Sequence, residues 1–277
     1  MFTITDIKGT ATLTNGVQMP YFGLGVYLIP NREVVKAIHW ALDCGYRLID
    51  TAALYENEEG VGEAVRNASV PREEIFVTTK VWNSDQGYDS TLRAFDASLR
   101  RLGLEYVDLY LIHWPVVDKY KQTWKALEKI YREGRARAIG VSNFLIHHLE
   151  DLASVAEVPP MVNQVEFHPL LVQQPLLDYC HQKGIQFQSW SPFMRGEIFN
   201  IPLLQQLAQQ YNKTVSQLVL RWNLQKGVMV IPKSSHKERI EANAQVFDFE
   251  ISEADMQKID QLDRDYRIGA HPDHFDF

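Results

Sequence analysis

Cysteine is scarce in this chain: Cys44 and Cys180 are the only two among 277 residues. Two unpatterned thiols build no disulfide framework, and no cysteine pair has zinc-ligand spacing. Long apolar runs are missing too, which argues against a membrane-spanning helix. The opening MFTITDIKGT has no basic segment leading into an apolar run. No secretory leader is therefore expected, and the cytoplasm is the expected compartment. Basic charge is in deficit, with 28 Lys and Arg against 35 Asp and Glu and a formal charge of −7. That balance argues against nucleic acid or an anionic membrane as the principal partner. A glycine-rich turn between a first strand and a helix is also lacking. FGLGVYLIP supplies none, and the glycines of GVGEA (60–64) fall inside a helical pattern. An open dinucleotide-binding sheet needs such a turn.

Apolar residues make up 45% of the chain and charged residues 23%, enough for a large core. The residues around Asn15-Gly16 alternate and predict a hairpin. After it, short apolar runs recur: FGLGV (22–26), YRLID (46–50), IFVTTK (75–80), VDLYLIH (107–113), ARAIGVS (136–142), MVNQVEF (161–167), IQFQSW (185–190) and VMVIP (228–232). Near-continuous apolar strands suit a parallel sheet covered on both faces. Amphipathic segments at 31–43, 89–102, 119–133, 143–155, 174–183 and 214–226 separate them. Asn31 is placed to cap the first. Gly134 and Gly184 stand at helix exits, and Ser252 opens a helix after the last strand. Eight strands alternating with helices predict a closed (β/α)8 TIM barrel with an N-terminal β-hairpin and an extra C-terminal helix. An open doubly wound sheet is the structural rival. No linker divides the chain, so residues 1–277 read as one domain.

Barrel chemistry gathers at the C-terminal ends of the strands. Asp50 ends the second strand, with Tyr55 in the loop beyond it. Lys80 ends the third and His113 the fourth. Each has a bland alternative: a helix cap, a solvated charge, a hydrogen-bonded structural histidine. Together they read differently. A lysine on an apolar strand is costly unless paired, and Asp50 on the neighbouring strand can pair with it. A phenol at ~4 Å from that cation gains ~4 kcal/mol as phenolate at an effective dielectric of ~20. Lys80 is therefore expected to bring Tyr55 down toward neutral pH as an acid or base, with His113 orienting a carbonyl oxygen.

Trp190 offers a flat aromatic surface, although core packing would also explain it. Ser142, Asn143 and Gln164 offer hydrogen-bonding groups suited to a ring bearing a carboxamide. IPKSSHKERIEAN (231–243) sets Lys233, Ser234, Ser235, Lys237 and Arg239 at a strand end and helix start, a pattern that suits phosphate. A solvated helix face is the alternative there, since Glu238 and Glu241 dilute the charge. His113, Glu166 and His168 are residue types of a metal set. The first strand lacks a His-x-His pair and Lys80 would repel a cation, so no metal is expected.

These segments resemble the aldo-keto reductases over nearly the whole length. GYRLIDTAALYENEEGVG, VTTKVW, DLYLIHWP, GVSNF, NQVEFHP, WSPF and IPKSSHKERIEAN are each similar to a motif of that family. The resemblance implies an NADPH-dependent carbonyl reductase in which Tyr55 is the proton donor and Asp50, Lys80 and His113 complete a tetrad. It implies that Ser142, Asn143 and Gln164 hold the carboxamide of NADPH or NADP+, with Trp190 on the ring. Lys233, Ser234 and Arg239 would hold the 2′-phosphate end. Gly25, Ser191, Ser235 and Asn243 also fall on the cofactor side, and Tyr27, Trp82, His113 and Trp114 on the substrate side. Ala242 precedes Asn243 where many relatives have glutamate. SPFMRGEIF lacks the long clamp of some members, which implies faster cofactor release. The short tail YRIGAHPDHFDF resembles that of bacterial 2,5-diketogluconate and glyoxal reductases, and implies an open pocket. Small aldehydes and α-dicarbonyls such as methylglyoxal, with keto-sugar acids beside them, are the expected substrates, and a monomer the expected state. A non-catalytic NADP(H)-binding subunit on the same barrel is the competing reading. A metal-dependent hydrolase, sensitive to chelators, is a third.

Overall fold

The computed structural model describes residues 4–277. An antiparallel pair comes first, β1 (Thr10–Thr12) and β2 (Gln18–Pro20). Leu13 and Val17 close its loop, the Leu13 N–H donating to the Val17 carbonyl at 2.8 Å. The turn is thus one residue longer than the tightest hairpin.

Strands and helices then alternate: β3 (Gly23–Gly25), α1 (Asn31–Asp43), β4 (Leu48–Asp50), α2 (Glu58–Arg66), β5 (Phe76–Val81), α3 (Tyr88–Leu102) and β6 (Val107–Ile112). The second half runs α4 (Tyr120–Arg132), β7 (Ala136–Ser142), α5 (Ile146–Ala153), β8 (Val162–Glu166), α6 (Gln174–Gln182) and β9 (Gln186–Trp190). Then follow α7 (Pro202–Gln210), α8 (Val215–Gln225), β10 (Met229–Val230), α9 (Lys237–Asn243) and α10 (Glu253–Asp260). The eight strands from β3 to β10 pair in sequence order, all in parallel. Parallel bridges from Phe22 to Val230 and from Gly25 to Lys233 bring the two edges together into a barrel. At that seam a Cβ on Gly25 would lie 2.7 Å from the Ile231 carbonyl oxygen, so glycine is needed for closure.

The strand interiors are buried along their length, as in β5 and β6. The helices turn their expected stripes inward; α1 buries Val34, Ala37, Ile38, Ala41 and Leu42. Ser252 caps α10, accepting the Asp255 N–H at 3.2 Å. Asn31 does not cap α1. Pro30 occupies the cap position, and the Asn31 side chain accepts the Gly60 N–H of α2 at 2.8 Å. Helix α7 is a further element, with no counterpart among the amphipathic segments of the sequence. Its glutamines mask a short stripe of Leu204, Leu207 and Ala208 behind a first-turn proline.

The two barrel ends differ in character. At the N-terminal end Asn15 of the hairpin loop donates to the Arg137 carbonyl at 2.8 Å. There Asp108 is held by Arg72 at 2.8 Å and Arg137 at 2.9 Å, and accepts the Val77 N–H at 2.9 Å. Those contacts lock strands together. The uncommitted chemistry lies at the other end.

Candidate active site

Asp50 terminates β4, and Lys80 stands one residue from the end of β5. Parallel pairing places these neighbouring strand ends side by side. The Lys80 ammonium donates to Asp50 Oδ1 at 2.6 Å and to the Thr51 carbonyl at 2.9 Å. Its third neighbour is the Tyr55 hydroxyl, at 3.3 Å. Tyr55 sits in the 3-10 turn Ala53–Tyr55 beyond β4. Asn57, fully buried, fixes that turn. Its Oδ1 accepts from the Thr51 hydroxyl at 2.7 Å, and its Nδ2 donates to the carbonyls of Val26 and Ile29 at 2.9 and 3.0 Å. The same amide therefore holds the loop bearing Tyr27, whose ring centroid lies 4.9 Å from that of Tyr55. His113 directly follows β6, its ring edge-on to Tyr55 at 5.8 Å and to Trp82 at 5.0 Å. All four predicted tetrad residues meet at one mouth.

The electrostatics differ from the sequence expectation. Burial first, then the Asp50 carboxylate and Tyr27, hold the Tyr55 phenol well above its ordinary range. The ammonium does not offset this because Asp50 pairs with it, leaving a nearly neutral dipole beside the phenol. Burial also lowers the Lys80 ammonium from its usual value, against the pull of Asp50. His113 is pushed well below the usual imidazole range, by burial and then by Lys80. Around neutral pH the mouth thus holds a protonated phenol and a neutral imidazole.

Across the barrel, β7 and β8 supply the amide and hydroxyl groups. Gln164 Nε2 donates to Asp50 Oδ2 at 2.7 Å and to Gln188 Oε1 at 2.8 Å. Its Oε1 accepts from no described residue and is not sealed from solvent. Ser142 Oγ donates to the Gln164 carbonyl at 2.8 Å. Asn143 adopts a left-handed backbone, with φ of 63°, and donates to the His113 carbonyl at 3.0 Å. Asn143 Oδ1 accepts the Trp190 indole N–H at 2.9 Å, which fixes the Trp190 plane. Ser191 follows it with φ of 52°.

Lys233 in the β10–α9 connection, and Lys237 and Arg239 on α9, are all exposed. Lys237 lies 3.7 Å from Glu241. Among the described residues, Lys233 and Arg239 make no ion pair and no side-chain hydrogen bond. Both cations are therefore free to meet an anion. Helix α9 has only 7 residues, so its dipole adds little at this end. Ser235 is half-buried at the turn, and Asn243 is buried at the end of α9. Gly25 serves the barrel seam already described.

The tail does not leave the pocket open. Glu166, buried at the end of β8, accepts the N–H groups of Ile268 at 2.7 Å and Gly269 at 3.0 Å. His168 Nε2 contacts Glu166 Oε1 at 2.9 Å and so steadies the carboxylate that holds the tail. Gly269 lies so close that a Cβ there would meet the Trp190 ring at 2.5 Å. Further on, Asp273 meets His147 at 2.9 Å and His148 at 3.1 Å. These three could be read as metal ligands. However, His148 Nδ1 accepts the Leu145 N–H at 3.1 Å, so Nε2 carries the proton and donates to Asp273. The trio is a clasp between α5 and the tail. Beyond it, Phe277 stacks on Trp82 with centroids 5.8 Å apart and planes within 8°. Phe275 and Phe277 both pack on Trp114 at 5.2 Å. Asn83 Nδ2 donates to the Phe277 main-chain oxygen at 3.0 Å. Trp82 and Trp114 were expected on the substrate side; Asn83, Phe275 and Phe277 join them. The cluster of FDF at the chain end was the only sequence signal for the latter two.

A parallel eight-stranded barrel that gathers Asp50, Tyr55, Lys80 and His113 at its mouth has the form of an oxidoreductase scaffold. The comparisons with known proteins agree. The model of the aldo/keto reductase family matches residues 9–264, and the chain belongs to that family. It is 56% identical over 274 residues to glyoxal reductase of Bacillus subtilis, covering 99% of each chain. It is 46% identical to a putative methylglyoxal reductase, DkgA, of Salmonella typhi, covering 94% of this chain and 96% of that one. A mutant of Gox0644 solved in complex with NADPH superposes with a TM-score of 0.93 at 42% identity, covering 97% of this chain and 99% of that one. Among the described residues, no helix is long and apolar enough to cross a membrane.

Proposed function

We propose that this chain is an NADPH-dependent reductase of small aldehydes and α-dicarbonyls such as methylglyoxal, with keto-sugar acids as a further class. The observation that carries the reading is the Tyr55 hydroxyl at 3.3 Å from a Lys80 ammonium that Asp50 anchors at 2.6 Å. Lys233, Ser234 and Arg239 would hold the 2′-phosphate, with Ser235 and Asn243 beside them. Ser142, Asn143 and Gln164 would hold the carboxamide, and Trp190 with Ser191 would bound the ring. When bound, NADPH supplies the hydride that reduces the carbonyl carbon.

The chain's own groups do the rest. The neutral His113 imidazole offers an N–H donor that orients the substrate oxygen. Tyr55 gives its proton to that oxygen as negative charge develops there. Lys80, fixed by Asp50 and Thr51, stabilises the phenolate left behind and readies it for reprotonation. Tyr27, Trp82, Trp114, Phe275 and Phe277 exclude water and present an aromatic wall.

The test is loss of NADPH absorbance on adding methylglyoxal, with NADH in parallel. Turnover with NADPH preferred supports the reading. Tight NADPH binding without turnover across several aldehydes would leave a non-catalytic NADP(H)-binding subunit instead. We also read residues 1–277 as one catalytic unit that acts as a cytoplasmic monomer. Sedimentation of the purified chain as a dimer would overturn the monomer.

A further inference from the structure

Gln164 on β8 and Gln188 on β9 are direct register partners. Both side chains are buried, Gln188 fully. A carboxylate only accepts hydrogen bonds, so the group of Gln164 that faces Asp50 Oδ2 at 2.7 Å must be its NH2. One amide proton is spent there. The other goes to Gln188 Oε1 at 2.8 Å. With both protons committed, the Gln164 amide has a single orientation. Its carbonyl oxygen is the one atom left open to the mouth. The Gln188 amide is fixed in turn, and its Nε2 is sealed from solvent with no partner among the described residues. An unpaired buried donor is unfavourable. An apolar side chain at this position would avoid it, but would leave the second proton of Gln164 unmet, so that the amide, still facing Asp50 with its NH2, could swing about that one hydrogen bond. Tyr55, Lys80 and Asp50 connect to Gln164 and Gln188 through one continuous polar line across the barrel.

We infer that Gln188 is a positioning residue: by taking the second amide proton it fixes the plane in which the Gln164 oxygen faces the mouth, so that the site selects a nicotinamide whose carboxamide presents its NH2 group there. The inference rests on the carboxamide lying at Gln164. Gln188→Met keeps the volume and removes the acceptor. Its readouts are the dissociation constants for NADPH, for its acetylpyridine analogue and for adenosine 2′,5′-bisphosphate, which lacks the nicotinamide. The wild type should bind NADPH about fivefold or more tightly than the acetylpyridine analogue, whose methyl ketone cannot donate. In Gln188→Met that preference should shrink, while adenosine 2′,5′-bisphosphate binds unchanged. A general structural fault would weaken all three ligands alike, and that result overturns the inference. So does a preference that survives the substitution. Should Gln188→Met fail to fold, a wild type indifferent to the carboxamide is enough to overturn it. Gln164→Leu separates the two claims. If it leaves NADPH affinity unchanged, the carboxamide placement fails. If it weakens NADPH while Gln188→Met does not, only the role of Gln188 fails.

Discussion

Phe277 lies flat on Trp82, its ring within 8° of parallel at 5.8 Å, and Trp82 in turn stands edge-on to His113 at 5.0 Å. Two rings, Trp82 and His113, thereby link Phe277 to Tyr55. A tail held by Glu166 at one end and by Trp82 at the other spans the mouth. Phe277→Ala should raise KM for aromatic aldehydes about threefold to tenfold, in line with the loss of one aromatic contact. Methylglyoxal, too small to reach that ring, should be affected far less. Equal KM changes for both substrates would remove Phe277 from the wall.

The raised Tyr55 phenol has a spectroscopic consequence in the free protein. Burial and Asp50 favour its protonated form. In an ultraviolet titration, the difference between wild type and Tyr55→Phe should show no phenolate until pH exceeds the ordinary tyrosine value of about 10. A phenolate signal growing between about pH 7 and 9 would restore the original expectation that Lys80 dominates.

The burial of His148 makes stability depend on acid. Burial first, then His147, lowers His148 to about 4, against the opposing pull of Asp273 and Asp151. The unfolded imidazole takes a proton below its ordinary value of about 6.5, while the folded one resists until about 4. Unfolding therefore gains protons across that window, and stability is lost as pH falls through it. His148→Leu should be less stable at pH 7 but should show a shallower fall in Tm between pH 6.5 and 4. An unchanged slope would assign the acid sensitivity elsewhere.

Arg239 and Lys233 are exposed, and among the described residues neither has an ion-pair partner. Arg239→Ala should weaken NADPH binding about tenfold, the loss of one charge-assisted hydrogen bond, and change NADH little. Equal losses for the two nucleotides would mean that Arg239 does not meet the 2′-phosphate.

Most of this architecture was legible because it is local. The β4 and β5 strands read as apolar runs, and Asp50 and Lys80 stand out as charges at their ends. Such a pattern has few explanations besides a site. The tail was not legible. Glu166 meets the Ile268 N–H across 102 residues, and nothing in either segment names the other. The link between Gln164 and Gln188 needed the register of β8 against β9, which periodicity does not give. Asn31 has the right type and place for a cap, but contact with α2 claims its side chain. The direction of the Tyr55 shift was missed for a different reason. The sequence supplies the neighbouring charges and not the burial, and here burial and the pairing of Lys80 outweigh the cation.

The central claim is that Tyr55 is the acid. Single-turnover reduction of methylglyoxal, measured beside NADPH affinity in wild type and Tyr55→Phe, tests it most directly. The account predicts near-equal NADPH affinity and a loss of about 10²- to 10⁴-fold in the rate of reduction, the range for removing a positioned proton donor. Reduction by Tyr55→Phe at the wild-type rate would contradict it and leave the proton to another group at the mouth.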